Sequence, residues 1–370
     1  MSEPSPEPPG RAQRAHAPAL DGLRGVAVLL VVAHHAELPW APFPIELGLV
    51  GVRLFFVLSG FLITGILLDG RDAIDEGRAS RGSFARAFYA RRALRIFPVY
   101  YAALAILFAL DAPLVREQIG WHALYASSFL VAREGHWVGV ASHFWSLSVE
   151  EQFYLLWPWL VLLAPRRAMP WICGTVALAA PIFRLVGGLA GLGRFALVFT
   201  LPGSTDALAL GALFAWLHRH PSPRLPELRA MLGASGGVLL ALATAASELL
   251  VDSPYLVSVE SLHGLSHAML GVALVSACAA PVGAATRPSK LHRALSAPPL
   301  RYVGRVSYGL YLVHPMLPYA LGHLGVDTSP FWIRVSSYLL APLAVSAASF
   351  HLFETPLLAL KDRVPYARRG

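Results

Sequence analysis

Ten long runs of apolar residues follow one another along the chain, separated by short polar connections. Because a helix that crosses a bilayer needs about 20 mostly apolar residues, we expect about ten membrane-spanning helices. The runs cover residues 20–38, 47–69, 96–111, 143–164, 171–190, 203–218, 230–250, 261–283, 300–320 and 331–353. An eleventh run, 121–132, is too short to cross, and we expect it to form an interfacial or re-entrant helix. The pattern predicts an all-α integral membrane protein.

Composition agrees with this class. Of the 370 residues, 56% are hydrophobic and 14% are charged, whereas an average soluble domain is roughly 45–50% apolar. Both cysteines, Cys173 and Cys278, lie inside apolar runs. Two such residues provide neither a disulfide framework nor a cysteine metal site, and the sequence predicts no bound metal.

The basic residues predict an orientation. If the N-terminus is cytoplasmic, 22 Lys and Arg side chains fall in inward segments, and only Arg116, Arg133 and Arg194 fall in outward ones. The positive-inside bias therefore predicts ten crossings with both termini in the cytoplasm. Because the net charge of +8 is spread over every cytoplasmic loop, it gives no patch for a nucleic-acid partner. The placement of the positive charge is instead typical of a multi-pass protein whose partner is the lipid bilayer.

The chain divides into one large domain and two tails. Residues 1–18 are rich in Pro and Glu without apolar periodicity, which predicts a disordered N-terminal tail. Residues 19–356 are expected to form the transmembrane domain, and 357–370 a cytoplasmic C-terminal tail. We expect no cleaved signal peptide and no appended soluble domain.

Several ionisable side chains lie inside the apolar runs. Each such residue costs about 2.5–3.5 kcal/mol at the centre of a spanning helix, so it indicates a functional site. Arg24 and His35 of the first run are eleven residues apart, which places them on one helical face about 16 Å apart. Glu150 and Glu151 of the fourth run are adjacent, so they point to different sides of their helix.

The predicted orientation sorts these side chains into two sets. The outer set contains His35, Glu150, Asp206 and His314, and the inner set contains Arg24, Arg91, Arg92 and Arg95. Arginine grips phosphate groups bidentately, and a histidine beside a carboxylate can take a proton from a hydroxyl. The two sets therefore predict a phosphorylated donor held from the inside and an acceptor alcohol activated outside.

Six stretches of the sequence resemble the acyltransferase-3 family of bacterial multi-spanning O-acyltransferases. They are LDGLRGVAVLLVVAHH (20–35), GVRLFFVLSGFLIT (51–64), FYARRALRIFPVY (88–100), HFWSLSVEEQFYLLWP (143–158), GRVSYGLYLVHP (304–315) and FHLFETP (350–356). The resemblance implies a ten-helix core in the bacterial inner membrane. It also implies an acyl-CoA donor, usually acetyl-CoA, and transfer to a hydroxyl, often on a glycan outside the membrane.

The family's motifs fall on particular residues of this chain. Its Arg-x₁₀-His pattern falls on Arg24 and His35, and its Arg-x-x-Arg pattern falls on Arg92 and Arg95. Its Trp-Ser-Leu-x-x-Glu pattern falls on Trp145, Ser146, Leu147 and Glu150. One position departs from the family: Arg53 stands where many members carry Asp. We expect Arg53 to contact a carboxylate of the acceptor or of Glu150.

These observations combine into a hypothesis of direct acyl transfer. His35, oriented by Glu150, deprotonates the acceptor, and Tyr308 or Ser146 donates a hydrogen bond to the oxyanion. Arg24, Arg91, Arg92 and Arg95 bind the donor, and the predicted supporting residues are Ser146, Trp145, Glu151, Asp206, His314 and Arg53. Two alternatives stay open, an acyl-histidine intermediate on His35 and, from another class, a glycan or lipid transporter or flippase. The sequence leaves the acceptor, the acyl chain length and the oligomeric state undetermined.

Overall fold

A computed structural model describes residues 17–37, 47–220, 224–249, 256–279 and 289–366. These ranges contain helices and turns and no β-strand. In chain order the helices are α1 (Pro18–His35), α2 (Leu47–Asp75), α3 (Arg81–Ala109), α4 (Ile119–Ala123), α5 (Ser127–Glu134), α6 (Phe144–Leu163), α7 (Met169–Leu189), α8 (Arg194–Val198), α9 (Leu201–Arg219), α10 (Leu225–Leu249), α11 (Leu256–Ala279), α12 (Lys290–Leu295), α13 (Pro298–Val313), α14 (Met316–His323), α15 (Phe331–Val335), α16 (Ala341–Ser349) and α17 (Thr355–Ala359). Wider π-helical turns join α15, α16 and α17 end to end. The predicted all-α class is confirmed.

Seven helical segments of the described ranges are long and apolar enough to cross a membrane. They are Leu47–Asp75, Arg81–Ala109, Arg166–Leu189, Arg194–Arg219, Leu225–Ser247, Leu262–Ala279 and Phe331–Arg363. The other three predicted runs correspond to α1, α6 and α13, which are not among the seven. Helix α13 has only 16 residues, and polar site residues interrupt the apolar sequence of α1 and α6. A count of ten crossings therefore stays a prediction.

The short run predicted at 121–132 forms two helices, α4 and α5, and not one. The chain turns between them at Tyr125, whose backbone φ of 53° is unusual for a residue with a side chain. Gln152 of α6 holds this turn by donating to the Tyr125 carbonyl oxygen at 3.1 Å. Tyr100 of α3 donates to the carbonyl oxygen of His122 at 2.8 Å. The two helices are thus fixed against α3 and α6.

Glycines let α1 and α13 pack backbone against backbone. A Cβ atom on Gly304 of α13 would lie 1.8 Å from the carbonyl oxygen of Asp21, and one on Gly25 of α1 would lie 2.4 Å from that of Leu300. Small residues allow this close approach between helices in a membrane. The crossing brings the C-terminal ends of α1 and α13 together, with His35 and His314 side by side.

A second close crossing joins α2 and α9. A Cβ atom on Gly60 would lie 1.9 Å from the carbonyl oxygen of Leu208, and one on Gly211 would lie 2.1 Å from that of Val57. Helix α2 therefore runs through the middle of the bundle, with α1 on one side and α9 on another. Of the predicted N-terminal tail, residues 1–16 lie outside the described residues. The predicted C-terminal tail, which begins at residue 357, is helical as far as Arg363.

Candidate active site

A cavity of about 800 Å³ lies between α1, α2, α3, α6 and α13. Its basic lining consists of Arg24, Arg92 and Arg95, and its acidic lining consists of Glu150 and Glu151. We call it the arginine cavity. Helices α1 and α3, which are not consecutive in the chain, thus bring together three of the four arginines predicted to bind the donor.

The guanidinium groups of this cavity are only lightly engaged by the protein. Arg92 lies 4.0 Å from the centroid of the Tyr154 ring, and its Nε is buried without a hydrogen-bond partner. Arg24 is 3.8 Å from the carboxylate of Asp21. Arg95 forms no hydrogen bond or ion pair with the described residues. The cavity therefore has hydrogen-bond donors available for an anion.

Glu150 lies in the arginine cavity and not beside His35 as predicted. Ser59 of α2 donates to Glu150 Oε1 at 2.5 Å, and no hydrogen bond joins Glu150 to His35. Glu150 is seven residues further along α6 than His143, which corresponds to about 10 Å. This distance separates Glu150 from the histidines. Glu151 lines the same cavity.

A second cavity, of about 1010 Å³, contains the histidines. Its lining includes His34 and His35 from the end of α1 and His143 from the start of α6. The His35 ring packs on that of His314 with 4.8 Å between centroids, and the His143 ring lies 5.4 Å from His314. Aromatic and basic residues complete one wall, namely Trp137, Trp145, Arg194 and Phe199. We call it the histidine cavity.

The hydrogen bonds of the histidine rings determine which nitrogen carries the proton. His35 Nδ1 lies 2.9 Å from the carbonyl oxygen of Val31, and His314 Nδ1 lies 2.8 Å from that of Tyr311. A carbonyl oxygen only accepts, so each Nδ1 is the donor. The Nε2 of His314, 3.3 Å away, then accepts a share of the same His35 Nδ1–H. The lone pair of His35 Nε2 is consequently left to accept a proton.

Val52 of α2 and Tyr311 of α13 line both cavities. The Tyr311 hydroxyl donates to the carbonyl oxygen of His143 at 3.0 Å and lies 2.5 Å from Ser146 Oγ. We call these two lining residues the junction. Arg24 lines the arginine cavity and His35 lines the histidine cavity. The two residues predicted to share one face of α1 therefore lie on opposite sides of the junction.

The two predicted oxyanion donors have partners within the protein. Tyr308 lines the arginine cavity and donates to the carbonyl oxygen of Ile96 at 2.9 Å. Ser146 lines the same cavity and contacts the hydroxyl of Tyr311. Trp145 lies on the histidine side, where its ring packs on Phe199 with 4.8 Å between centroids.

Arg91 is not part of the arginine cavity, contrary to the prediction. It donates to the carbonyl oxygens of Lys361 at 2.5 Å and Val364 at 3.1 Å, and it lies 4.7 Å from the Tyr366 ring centroid. Adjacent helical residues point about 100° apart, and here Arg91 points to the C-terminal segment while Arg92 lines the cavity. Arg91 fastens the C-terminal segment to α3.

The predicted roles of Arg53 and Asp206 are also corrected. Both are buried, and Arg53 Nη1 contacts Asp206 Oδ1 at 2.5 Å. Arg184 of α7 contacts the other carboxylate oxygen at 2.7 Å. The close crossing of α2 and α9 brings Arg53 to Asp206, so Arg53 contacts this carboxylate and not that of Glu150. The group joins α2, α7 and α9 away from both cavities.

Three contributors to the site were missing from the predicted set. Ser59 is the partner of Glu150, His143 stands beside His314, and Tyr311 is half of the junction. His143 and Tyr311 fall within two of the recognised stretches and share short helical spacings with Ser146 and His314. Ser59 falls within a third recognised stretch, residues 51–64, but has no polar residue three or four positions away. In the described ranges no three side chains of the metal-binding types are placed to hold a metal ion.

A bundle of apolar helices with two polar cavities that meet inside it defines a multi-pass membrane protein with an internal site. A family model described as an acyltransferase domain matches residues 18–351, nearly the whole chain. The chain belongs to the acyltransferase-3 family, as its six motifs predicted.

Curated relatives share this region. The chain is 28% identical over 381 residues to the peptidoglycan O-acetyltransferase OatA of Listeria monocytogenes, which covers 94% of this chain and 56% of the relative. It is 25% identical over 374 residues to the O-acetyltransferase OatA of Staphylococcus aureus strain NCTC 8325, which covers 92% of this chain and 57% of the relative. The chain spans little more than half the length of these relatives. No solved structure matches it significantly.

Proposed function

We propose that this protein is a membrane O-acyltransferase that moves an acetyl group from acetyl-CoA to a hydroxyl of a glycan. The observation that carries the proposal is the junction at Val52 and Tyr311, where a cavity lined by arginine meets a cavity lined by histidine. The relatives' names support O-acetylation. Neither the family match nor the relatives favour a transporter or flippase.

In this proposal the chain crosses the bacterial inner membrane ten times with both termini in the cytoplasm. The distribution of 22 basic residues against three supports the orientation. The arginine cavity then faces the cytoplasm, where acyl-CoA is made available, and the histidine cavity faces the opposite side. The bundle thus receives donor and acceptor from different compartments.

The phosphates of acyl-CoA are the anions proposed for Arg24, Arg92 and Arg95. Arginine forms bidentate, charge-assisted hydrogen bonds with phosphate, and the unpartnered Nε of Arg92 offers one donor. The pantetheine arm is long enough to carry the thioester away from the phosphates toward the junction. The donor therefore enters from the arginine side and presents its carbonyl carbon to the histidine side.

His35 is the proposed general base. Its Nε2 takes the proton of the acceptor hydroxyl while the hydroxyl oxygen attacks the thioester carbonyl carbon. The new C–O ester bond forms, the C–S bond breaks, and the proton held by His35 passes to the CoA thiolate. A positioned base of this kind contributes about 10²- to 10⁴-fold to the rate. Donor-only incubation tests the covalent route, because an acyl group trapped on His35 would contradict direct transfer.

A glycan of the cell envelope is the proposed acceptor, and peptidoglycan is the first candidate because one relative bears that name. The histidine cavity combines histidine rings with the aromatic residues Trp137, Trp145 and Phe199 in its lining. Its aromatic wall supplies large apolar faces beside polar groups, as is typical of sites for small ligands.

Transfer by the purified protein in lipid vesicles tests the function. Labelled acetyl-CoA and peptidoglycan fragments should give a labelled, alkali-sensitive ester. His35→Ala should lower the rate at least 100-fold, whereas the control His323→Ala changes an exposed histidine of α14 and should not. Full activity of His35→Ala would remove His35 as the base. Movement of unmodified glycan without ester formation would instead identify a transporter.

A further inference from the structure

The junction is the one place among the described residues where both cavities share lining side chains. We propose that Val52 and Tyr311 set the length of the acyl group that the protein transfers, admitting acetyl and excluding longer chains. This inference rests on the proposed acyl transfer. It adds which acyl-CoA donors the protein accepts. Both side chains line the arginine cavity and the histidine cavity, so an acyl group presented from the first cavity to His35 in the second passes them.

Tyr311 is held in place from two directions. Its hydroxyl donates to the carbonyl oxygen of His143 at 3.0 Å and contacts Ser146 Oγ at 2.5 Å. Its ring packs edge-on against Phe55 with 6.3 Å between centroids, and only 6% of the residue is exposed. The ring cannot turn aside without breaking these hydrogen bonds, so it forms a fixed wall.

Val52, the second residue of the junction, is also held in place. A valine in a helix strongly prefers one side-chain rotamer. Its helix packs closely on α1, where a Cβ atom on the neighbouring Gly51 would lie 2.5 Å from the carbonyl oxygen of Ala27. Val52 is 5% exposed. Both side chains of the junction are therefore held in place.

Side chains that are held in place discriminate between acyl groups by size. One methylene too many in a pocket of fixed size changes the rate constant by about 10- to 200-fold. Propionyl-CoA adds one methylene to acetyl-CoA and butyryl-CoA adds two. Since their phosphates and pantetheine arms are identical, only the fit at the junction separates these donors. The discrimination is expected in transfer and not in binding of the nucleotide end.

Donor competition in the reconstituted protein tests the inference. The kcat/KM values for acetyl-, propionyl- and butyryl-CoA are compared in the native protein, in Val52→Ala and in Val57→Ala. Val57 is a matched control because it is a buried valine of the same helix that lines neither cavity. We expect the native protein to prefer acetyl over butyryl by at least about tenfold. Val52→Ala should reduce that preference at least about tenfold, and Val57→Ala should keep it.

A change in the opposite direction provides a second measurement. Val52→Phe should narrow the junction, lowering acetyl transfer at least about tenfold while the Kd for CoA changes less than about threefold. Loss of CoA binding in Val52→Phe would show that Val52 acts on donor affinity and not on acyl transfer, and would overturn the inference. It is also overturned if the native protein uses butyryl-CoA as well as acetyl-CoA, or if Val52→Ala and Val57→Ala show the same preference. Native protein that binds CoA but forms no ester disproves the proposed function itself, and the inference with it.

Discussion

His35 and His314 form a hydrogen-bonded pair between residues 279 positions apart in the chain, with 3.3 Å between His35 Nδ1 and His314 Nε2. His314 is fully buried, and its own Nδ1–H donates to the Tyr311 carbonyl oxygen. The His314 ring and the Val31 carbonyl oxygen therefore share the His35 Nδ1–H, and together they fix the orientation and the tautomer of His35. This arrangement replaces the carboxylate that the sequence predicted beside His35.

Substitution of His314 should lower turnover without weakening donor binding. A hydrogen bond contributes about 0.5–1.5 kcal/mol, so loss of this one in His314→Ala should lower kcat up to about tenfold. Its KM for acetyl-CoA should stay the same. His314→Gln should recover part of the rate, because its amide oxygen can accept from His35 Nδ1–H. Steady-state kinetics on both variants measure this, and equal losses in the two would contradict a positioning role.

Arg92 and Arg95 should act mainly on donor affinity. Hydrogen bonds to charged groups contribute about 1.5–3 kcal/mol, so Arg92→Ala or Arg95→Ala should raise KM for acetyl-CoA about 10- to 100-fold. The effect on kcat should be smaller, because the phosphates are remote from the reacting carbon. The neighbouring Arg91→Ala is the control, since Arg91 contacts the C-terminal segment and not the cavity. A selective fall in kcat would argue against a phosphate site.

Asp206 should be essential for stability. Replacement by Ala leaves the guanidinium groups of Arg53 and Arg184 without the carboxylate that joins them. Removal of one member of a buried ion pair costs about 3–5 kcal/mol. Thermal unfolding in detergent should show this loss, whereas Asp327→Ala in an exposed loop should change stability little. Similar unfolding temperatures for the two variants would contradict the structural role of Asp206.

The crossing of α1 and α13 should be sensitive to one methyl group. In Gly304→Ala the new Cβ would lie 1.8 Å from the Asp21 carbonyl oxygen, so the helices must separate. Such overpacking costs about 1–3 kcal/mol, and the displacement of α13 should also move His314 from His35 and lower kcat. The same change at Gly322, where a Cβ meets nothing within 4 Å, should be tolerated. Unfolding and transfer rates measured together test this, and a fully active Gly304→Ala protein would contradict it.

The sequence by itself determined the helical membrane class and the family. Apolar runs identify helices because the bilayer requires each backbone polar group to be satisfied within its own helix. The spacing of Arg24 and His35 also follows from one helix, and these residues do open into the two cavities that meet at the junction. Local periodicity contains this information, because residues on the same helix have fixed relative positions.

Only the tertiary structure decided which side chains meet across helices. Glu150 contacts Ser59, 91 positions away, and Arg53 contacts Asp206, 153 positions away. These partners depend on how deeply and at what rotation each helix packs, which glycines such as Gly60 and Gly304 permit through close backbone contact. A hydropathy pattern gives neither depth nor rotation. The junction of Val52 and Tyr311 therefore exists only once α2 and α13 are packed beside each other.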